Sequence, residues 1–111
     1  MPYDSALVDQ LRTLLTDRPH FSERKMFGGI AYLYKGKMTV GVMDDRLLVR
    51  VVAEKYAILL AQPHVEPMAF SGRKPMKEFV YVHKRNLQTP DELLRWINLG
   101  LDHARQSLGE G

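Results

Sequence analysis

A hydroxyl, a backbone without a side chain and two fixed cations follow one another at Ser71-Gly72-Arg73-Lys74. Residues of those types in that order suit an anion. Successive N–H groups of a Gly-containing turn can form a concave nest, and Arg and Lys supply the counter-charge. Lys77 follows, and Arg24-Lys25 form a second basic element just ahead of the glycine doublet Gly28-Gly29. The expected contacts for a phosphate or a nucleic-acid backbone are therefore Arg24, Lys25, Ser71, Gly72, Arg73, Lys74 and Lys77. No Walker pattern is present, because no Gly-Lys-Ser/Thr follows the glycines. A plain surface connection is the commoner role of such a loop.

Other chemistries have less support. Ser5, Ser22, Ser71 and Ser107 all lie outside a Gly-x-Ser-x-Gly setting, and His20, His64, His83 and His103 are scattered. The absence of cysteine excludes thiolate nucleophiles, disulfides and cysteine-ligated zinc. His64-Val65-Glu66 places two ligands on one side of an extended segment. A transition metal needs three or four, and no matching second pair follows. Asp91-Glu92 is explained by a helix start, where negative charge is favoured. The expectation is no catalytic residue, no metal and no cofactor, hence not an enzyme. Tyr32, Tyr34, Phe79 and Tyr81 sit at alternate strand positions without the RNP pattern of base-stacking sheets, so they read as core. Trp96, beside Ile97, reads as a core-edge residue whose exposure would mark an interface.

These residues must be positioned by a small set of elements. Asp4 or Ser5 caps a helix in which Leu7, Val8, Leu11, Leu14 and Leu15 form one stripe, ended by Pro19. From Ser22 the apolar period changes to two. Ile30, Tyr32 and Tyr34 face one way, and Ala31 and Leu33 the other. Lys35-Gly36 is a tight turn, and Met38, Val40 and Val42 then alternate with Thr39, Gly41 and Met43. Asp44-Asp45 turns again, and Leu47, Val49 and Val51 alternate with Leu48 and Arg50. Arg24 to Phe27 can add a further strand. Gly28-Gly29 marks a constrained bend or a close backbone approach. Ala53 to Ala61 reads as a short helix, Pro63 to Pro67 as an extended linker, and Lys77 to His83 as a strand. Thr89-Pro90-Asp91-Glu92 starts the last helix with a capping box. Leu93, Ile97, Leu101, Ala104 and Leu108 run along one side of it.

Strands grouped between helices predict an α+β domain, an antiparallel sheet of about five strands packed against helices in the order α-β-β-β(-β)-α-β-α. At 111 residues the chain can bury one core, so residues 1–108 form a single domain and 109–111 a frayed tail. A net charge of +3 is spread along the chain and favours solubility more than a dedicated nucleic-acid face. Apolar runs are far shorter than the roughly 20 residues of a membrane helix. No leader pattern is visible, so a cytoplasmic location with no membrane contact is expected.

Arg24-Lys25-Met26-Phe27-Gly28-Gly29-Ile30-Ala31 resembles the signature of the TfoX/Sxy N-terminal domain family, with Met26, Phe27, Gly28 and Gly29 as its structural motif. The likeness continues through Met38 to Met43, Leu47-Leu48-Val49-Arg50-Val51, Pro67-Met68-Ala69-Phe70 and Pro75-Met76-Lys77-Glu78-Phe79-Val80-Tyr81-Val82. It ends at Glu92-Leu93-Leu94-Arg95-Trp96-Ile97 and Ala104-Arg105. The resemblance implies a small α+β fold similar to secretion-chaperone-like domains. It further implies a bacterial, non-enzymatic regulatory or protein-interaction module. Full-length members regulate natural competence with the cyclic-AMP receptor protein and carry a second, helical domain. This chain stops after the last helix of the first, so a DNA-contacting role of the second domain does not transfer. The expected partner is a protein, including a second copy in a homodimer through an open sheet edge or an exposed Trp96. Weak nucleic-acid or phosphate binding through the basic loop is the alternative.

Overall fold

The computed structural model describes residues 3–26, 28–68 and 78–110. Helix α1 (Ser5–Leu15) begins where the Asp4 carboxylate accepts the N–H groups of Ala6 and Leu7, at 2.9 and 3.1 Å. That satisfies two of the donors a helix start leaves open. Leu7, Val8, Leu11 and Leu15 then point inward along one stripe.

Four strands follow as a meander: β1 (Phe21–Met26), β2 (Gly29–Tyr34), β3 (Lys37–Met43) and β4 (Arg46–Arg50). Met26 pairs with Gly29, Tyr34 with Lys37 and Met43 with Arg46, so each link has two residues and each pair runs antiparallel. Lys35 and Gly36 have φ of 49° and 83°. Positive φ at both central residues matches the right-handed twist of the strands beside it. Helix α2 (Ala53–Leu60), β5 (Val65–Pro67), β6 (Phe79–Val82), a 3-10 turn (Lys84–Asn86) and α3 (Pro90–Ser107) complete the order. Thr89 and Glu92 form the expected capping box at the start of α3.

The six strands lie in one antiparallel sheet, in the order β1-β2-β3-β4-β6-β5. The fold class is the α+β one expected, with one strand more than the count of about five. The extra strand is β5, in the stretch that reads as a linker between Pro63 and Pro67. Its three residues pair with β6, and Pro67, which has no N–H to offer, lies at the sheet's outer edge.

The helices cover one face of the sheet. Ile30, Tyr32, Val40, Val42, Leu47, Val49, Val80 and Val82 meet Leu11, Leu93, Trp96, Ile97 and Leu101 there. The other face carries a smaller cluster of Ala31, Leu33, Met38, Leu48 and Met68. Met38 is a correction to strict alternation, which puts it beside Val40. Tyr32 pairs with Val40 but Leu33 with Met38, so Thr39 is an extra residue and the strand changes face across it. The buried Thr39 hydroxyl donates to the Tyr32 carbonyl at 2.8 Å. It thereby supplies a hydrogen bond where the bulge interrupts the ladder.

Trp96 also departs from expectation. It is only 1% exposed, so it belongs to the core and offers nothing to a dimer. Helix α3 comes close enough to the sheet that a side chain at Gly100 would stand 2.5 Å from the Thr39 carbonyl oxygen. At the C-terminus, Glu110 takes Lys35 at 2.8 Å and Tyr34 at 3.1 Å, and its N–H donates to Arg105.

Candidate functional site

The two glycines of the motif have different physical jobs. Gly28 has φ of +77° and open space where a Cβ would sit. It is there for its backbone conformation. Gly29 has no such φ, but a Cβ on it would lie 2.1 Å from the Val42 carbonyl oxygen. It is there because β3 approaches too closely for any side chain.

The doublet ends the β1–β2 hairpin, which places Arg24 and Lys25 on an edge strand. Arg24 is opposite Ala31 and Lys25 opposite Ile30. Ile30 belongs to the helix-side cluster and Ala31 to the other. The two cations are exposed but point to opposite faces, as neighbours on a strand must. They cannot converge on one anion. Ser71, Gly72, Arg73, Lys74 and Lys77 lie outside the described residues, as does Phe27.

A pair missed at the sequence level ties this edge to the helices. Arg12 Nε and one terminal nitrogen of the guanidinium donate to the two Glu23 oxygens, both at 2.8 Å. Arg12 holds the Glu23 carboxyl below the usual carboxylate range, and Glu23 in turn raises Arg12. Burial pushes the Tyr32 hydroxyl beside them upward. The Arg12–Glu23 separation matches no helical or strand period, so only the packing of α1 over β1 reveals it. A groove of about 330 Å³ runs there, with Arg12, Arg18, Phe21 and Glu23 in its walls.

Two histidine clusters lie elsewhere. At one end of the sheet Glu66 meets His83 at 3.1 Å and Arg46 at 3.5 Å, and Arg46 stacks over the Tyr81 ring at 4.0 Å. At the other end, His103 Nδ1 is 3.5 Å from the Ser107 hydroxyl and Nε2 is 3.6 Å from Glu78. They line a polar cleft of about 320 Å³ beside the start of α2. Burial lowers the His103 pKa, with a further push from the Arg50 charge. Both contacts exceed the roughly 2.6–3.2 Å of a working base, and Arg50 holds Glu78 at 2.9 Å. The arrangement is a charge network in this state, not an assembled Ser-His-Glu triad. No group of three or more His, Cys, Asp or Glu suited to a metal occurs among the described residues.

The sequence profile of the TfoX N-terminal domain matches residues 13–104. The chain belongs to the TfoX N-terminal domain family. The match takes in β1, the glycine doublet and the whole sheet, together with most of α3. No curated protein and no solved structure matches the chain. No helix among the described residues is long and apolar enough to cross a membrane.

Proposed function

We propose that this TfoX N-terminal domain is a non-enzymatic regulatory module that acts by binding another protein, as a co-regulator of transcription of the competence type. The observation that carries the reading is the family match over residues 13–104. The packing supports it. Both faces of the sheet carry buried apolar clusters, and charged groups beside its grooves, Arg12 with Glu23 and Arg50 with Glu78, are engaged in ion pairs with each other. A surface of that kind recognises a partner by shape and edge chemistry. The test is an affinity pull-down of tagged protein from extract of its own cells, with and without nuclease, analysed for protein and nucleic acid together. A transcriptional regulator retained after nuclease treatment is the expected result. Nucleic acid alone, or nothing, overturns the reading.

Arg24 and Lys25, exposed on an edge strand, favour weak nucleic-acid contact as a second reading. Such binding must weaken as salt rises. Titration with DNA and RNA at two salt concentrations tests it, and no shift at low salt removes it.

A further inference from the structure

The two edges of the sheet are not alike. β5 has three residues and carries a proline, two features that blunt an edge. β1 has six residues, none of them Gly or Pro, and among the described residues it pairs with β2 alone.

The register says which groups of β1 face outward. The Lys35 N–H donates to the His20 carbonyl at 2.9 Å just beyond the Phe21–Tyr34 rung, which makes that rung a non-hydrogen-bonded one. Hydrogen-bonded and non-bonded pairs alternate along an antiparallel ladder. The unbroken register from Phe21–Tyr34 to Met26–Gly29 therefore turns the N–H and C=O groups of Ser22, Arg24 and Met26 toward β2. Those of Phe21, Glu23 and Lys25 point away from the sheet. They form a ready ladder for one more antiparallel strand.

The side chains on this ladder select the strand. The two residues that flank Arg24 are of opposite charge: Glu23 is acidic and Lys25 basic. Two copies of β1 laid antiparallel about Arg24 put Glu23 of each opposite Lys25 of the other. Both rungs join opposite charges between outward-facing residues. Shifting the centre to Glu23 or to Lys25 sets like charges opposite each other, which is destabilising. Arg12 uses one hydrogen bond to each Glu23 oxygen, and an ionised carboxylate has lone pairs left for a lysine.

We propose that the exposed β1 edge is a self-recognition surface, through which two copies join their sheets antiparallel about Arg24. The inference rests on the reading of the chain as a protein-binding module and names a partner for it. A single pair of strands is a small interface, so the complex forms in a concentration-dependent way. The two Arg24 side chains meet on the face away from the helices and weaken it. Arg24→Thr therefore strengthens it.

Light scattering of the purified full chain tests this. The wild type is expected to rise from 12.8 kDa toward about twice that mass as concentration increases. Glu23→Lys alone and Lys25→Glu alone each create two like-charge rungs and stay monomeric. Mixed in equal amounts they form a heterodimer, because every rung is again complementary. Lys25→Pro removes an outward N–H while leaving the bonds to β2, and stays monomeric with an unchanged circular dichroism spectrum. If Glu23→Lys fails to fold for want of its bond to Arg12, Lys25→Pro and Lys25→Glu still carry the test. A wild type that remains monomeric at its highest soluble concentration overturns the proposal. So does a Lys25→Pro chain that still dimerises, or a mixture of folded charge variants that does not. The monomeric Lys25→Pro chain also separates the two readings. If it still retains a transcriptional regulator in the pull-down while the wild type never self-associates, only the edge proposal falls.

Discussion

Replacing Gly29 by alanine adds one methyl group, and the structure says where it goes. It lands 2.1 Å from the Val42 carbonyl oxygen, 3.1 Å from the carbonyl carbon and 3.2 Å from Met43 Cγ. Real Cβ contacts essentially never fall below 3.0 Å, so the strands must part by nearly an ångström. The obstacle is backbone, which cannot swing aside as a side-chain tip can. Overpacking of this kind costs about 1–3 kcal/mol, and a weakened ladder hydrogen bond adds about 0.5–1.5. Alanine recovers about 0.4–1 kcal/mol by restricting the unfolded chain. The expected net loss is about 2–3 kcal/mol. Gly28→Ala meets no atom, but it must adopt φ of +77°. That costs about 1–2 kcal/mol before the same unfolded-state gain, leaving a loss of about 1 kcal/mol or less. Asparagine separates the two causes. It tolerates the left-handed region, so Gly28→Asn should be nearly neutral, whereas Gly29→Asn should be as damaging as Gly29→Ala. Urea unfolding of the four variants gives the comparison, with Tm falling by roughly 4 °C per kcal/mol. A Gly29→Ala chain within about 0.5 kcal/mol of wild type would refute the close-approach argument. A Gly28→Asn chain as unstable as Gly29→Asn would refute the division of labour.

Thr39→Val removes the hydroxyl that serves the Tyr32 carbonyl at the bulge and should cost about 1–3 kcal/mol in the same assay, with Thr39→Ser retaining most of the stability. Asp4 is held below its ordinary value of 3.8, first by its hydrogen bond to Lys84 and then by the α1 N–H groups. Its folded pKa is depressed, so its contribution is present above that value and is lost as pH falls through the folded pKa. Asp4→Asn keeps the cap but loses the ion pair; it should melt below wild type near neutral pH and draw level with it in strong acid. His103 has its pKa lowered from 6.5 by burial, so the unfolded chain takes up a proton first as pH drops. Stability attached to it is complete above 6.5 and declines through the folded pKa. His103→Gln should flatten that part of the Tm-against-pH curve, and an unchanged slope would mean the ring is not desolvated in solution.

Local rules were readable from the residues. The Asp4 cap, the Thr89–Glu92 capping box, the Lys35-Gly36 turn and the special status of Gly28-Gly29 each depend on a few neighbouring residues, and each is present. What was not readable depends on partners far along the chain. The bulge at Thr39 is visible only in the pairing of β2 with β3, which is why Met38 changes face. The strand β5 exists because β6 offers it an edge, against the bias of its own proline. Trp96 was readable in principle. It stands three residues after Leu93 and four before Gly100, on the stripe that α3 buries, so a wider apolar arc would have placed it in the core. Of the candidate anion site, Arg24 and Lys25 were readable only as a basic element ahead of the glycine doublet. Their divergence follows from strand pleating once both stand in the paired strand β1.

The glycine doublet, the bulge and the edge are connected through β2. Gly29 lets β3 approach the start of β2, and Thr39 absorbs an extra residue further along the same pair. A bulge increases local twist. The β1–β2 ladder, by contrast, runs without a break over all six residues of β1. The irregularities of the sheet are thus taken up inside it, at β3, where α3 comes down on the Thr39 backbone at Gly100. The outermost strand is left regular, and regularity is what a second strand needs in order to pair along its whole length. An edge that had to be protected from every partner would more simply have carried the bulge itself. Here Arg12 secures the strand from the helix side through Glu23, and no other described strand takes up its outward ladder. Charge, and not backbone distortion, is then the means by which β1 discriminates among strands.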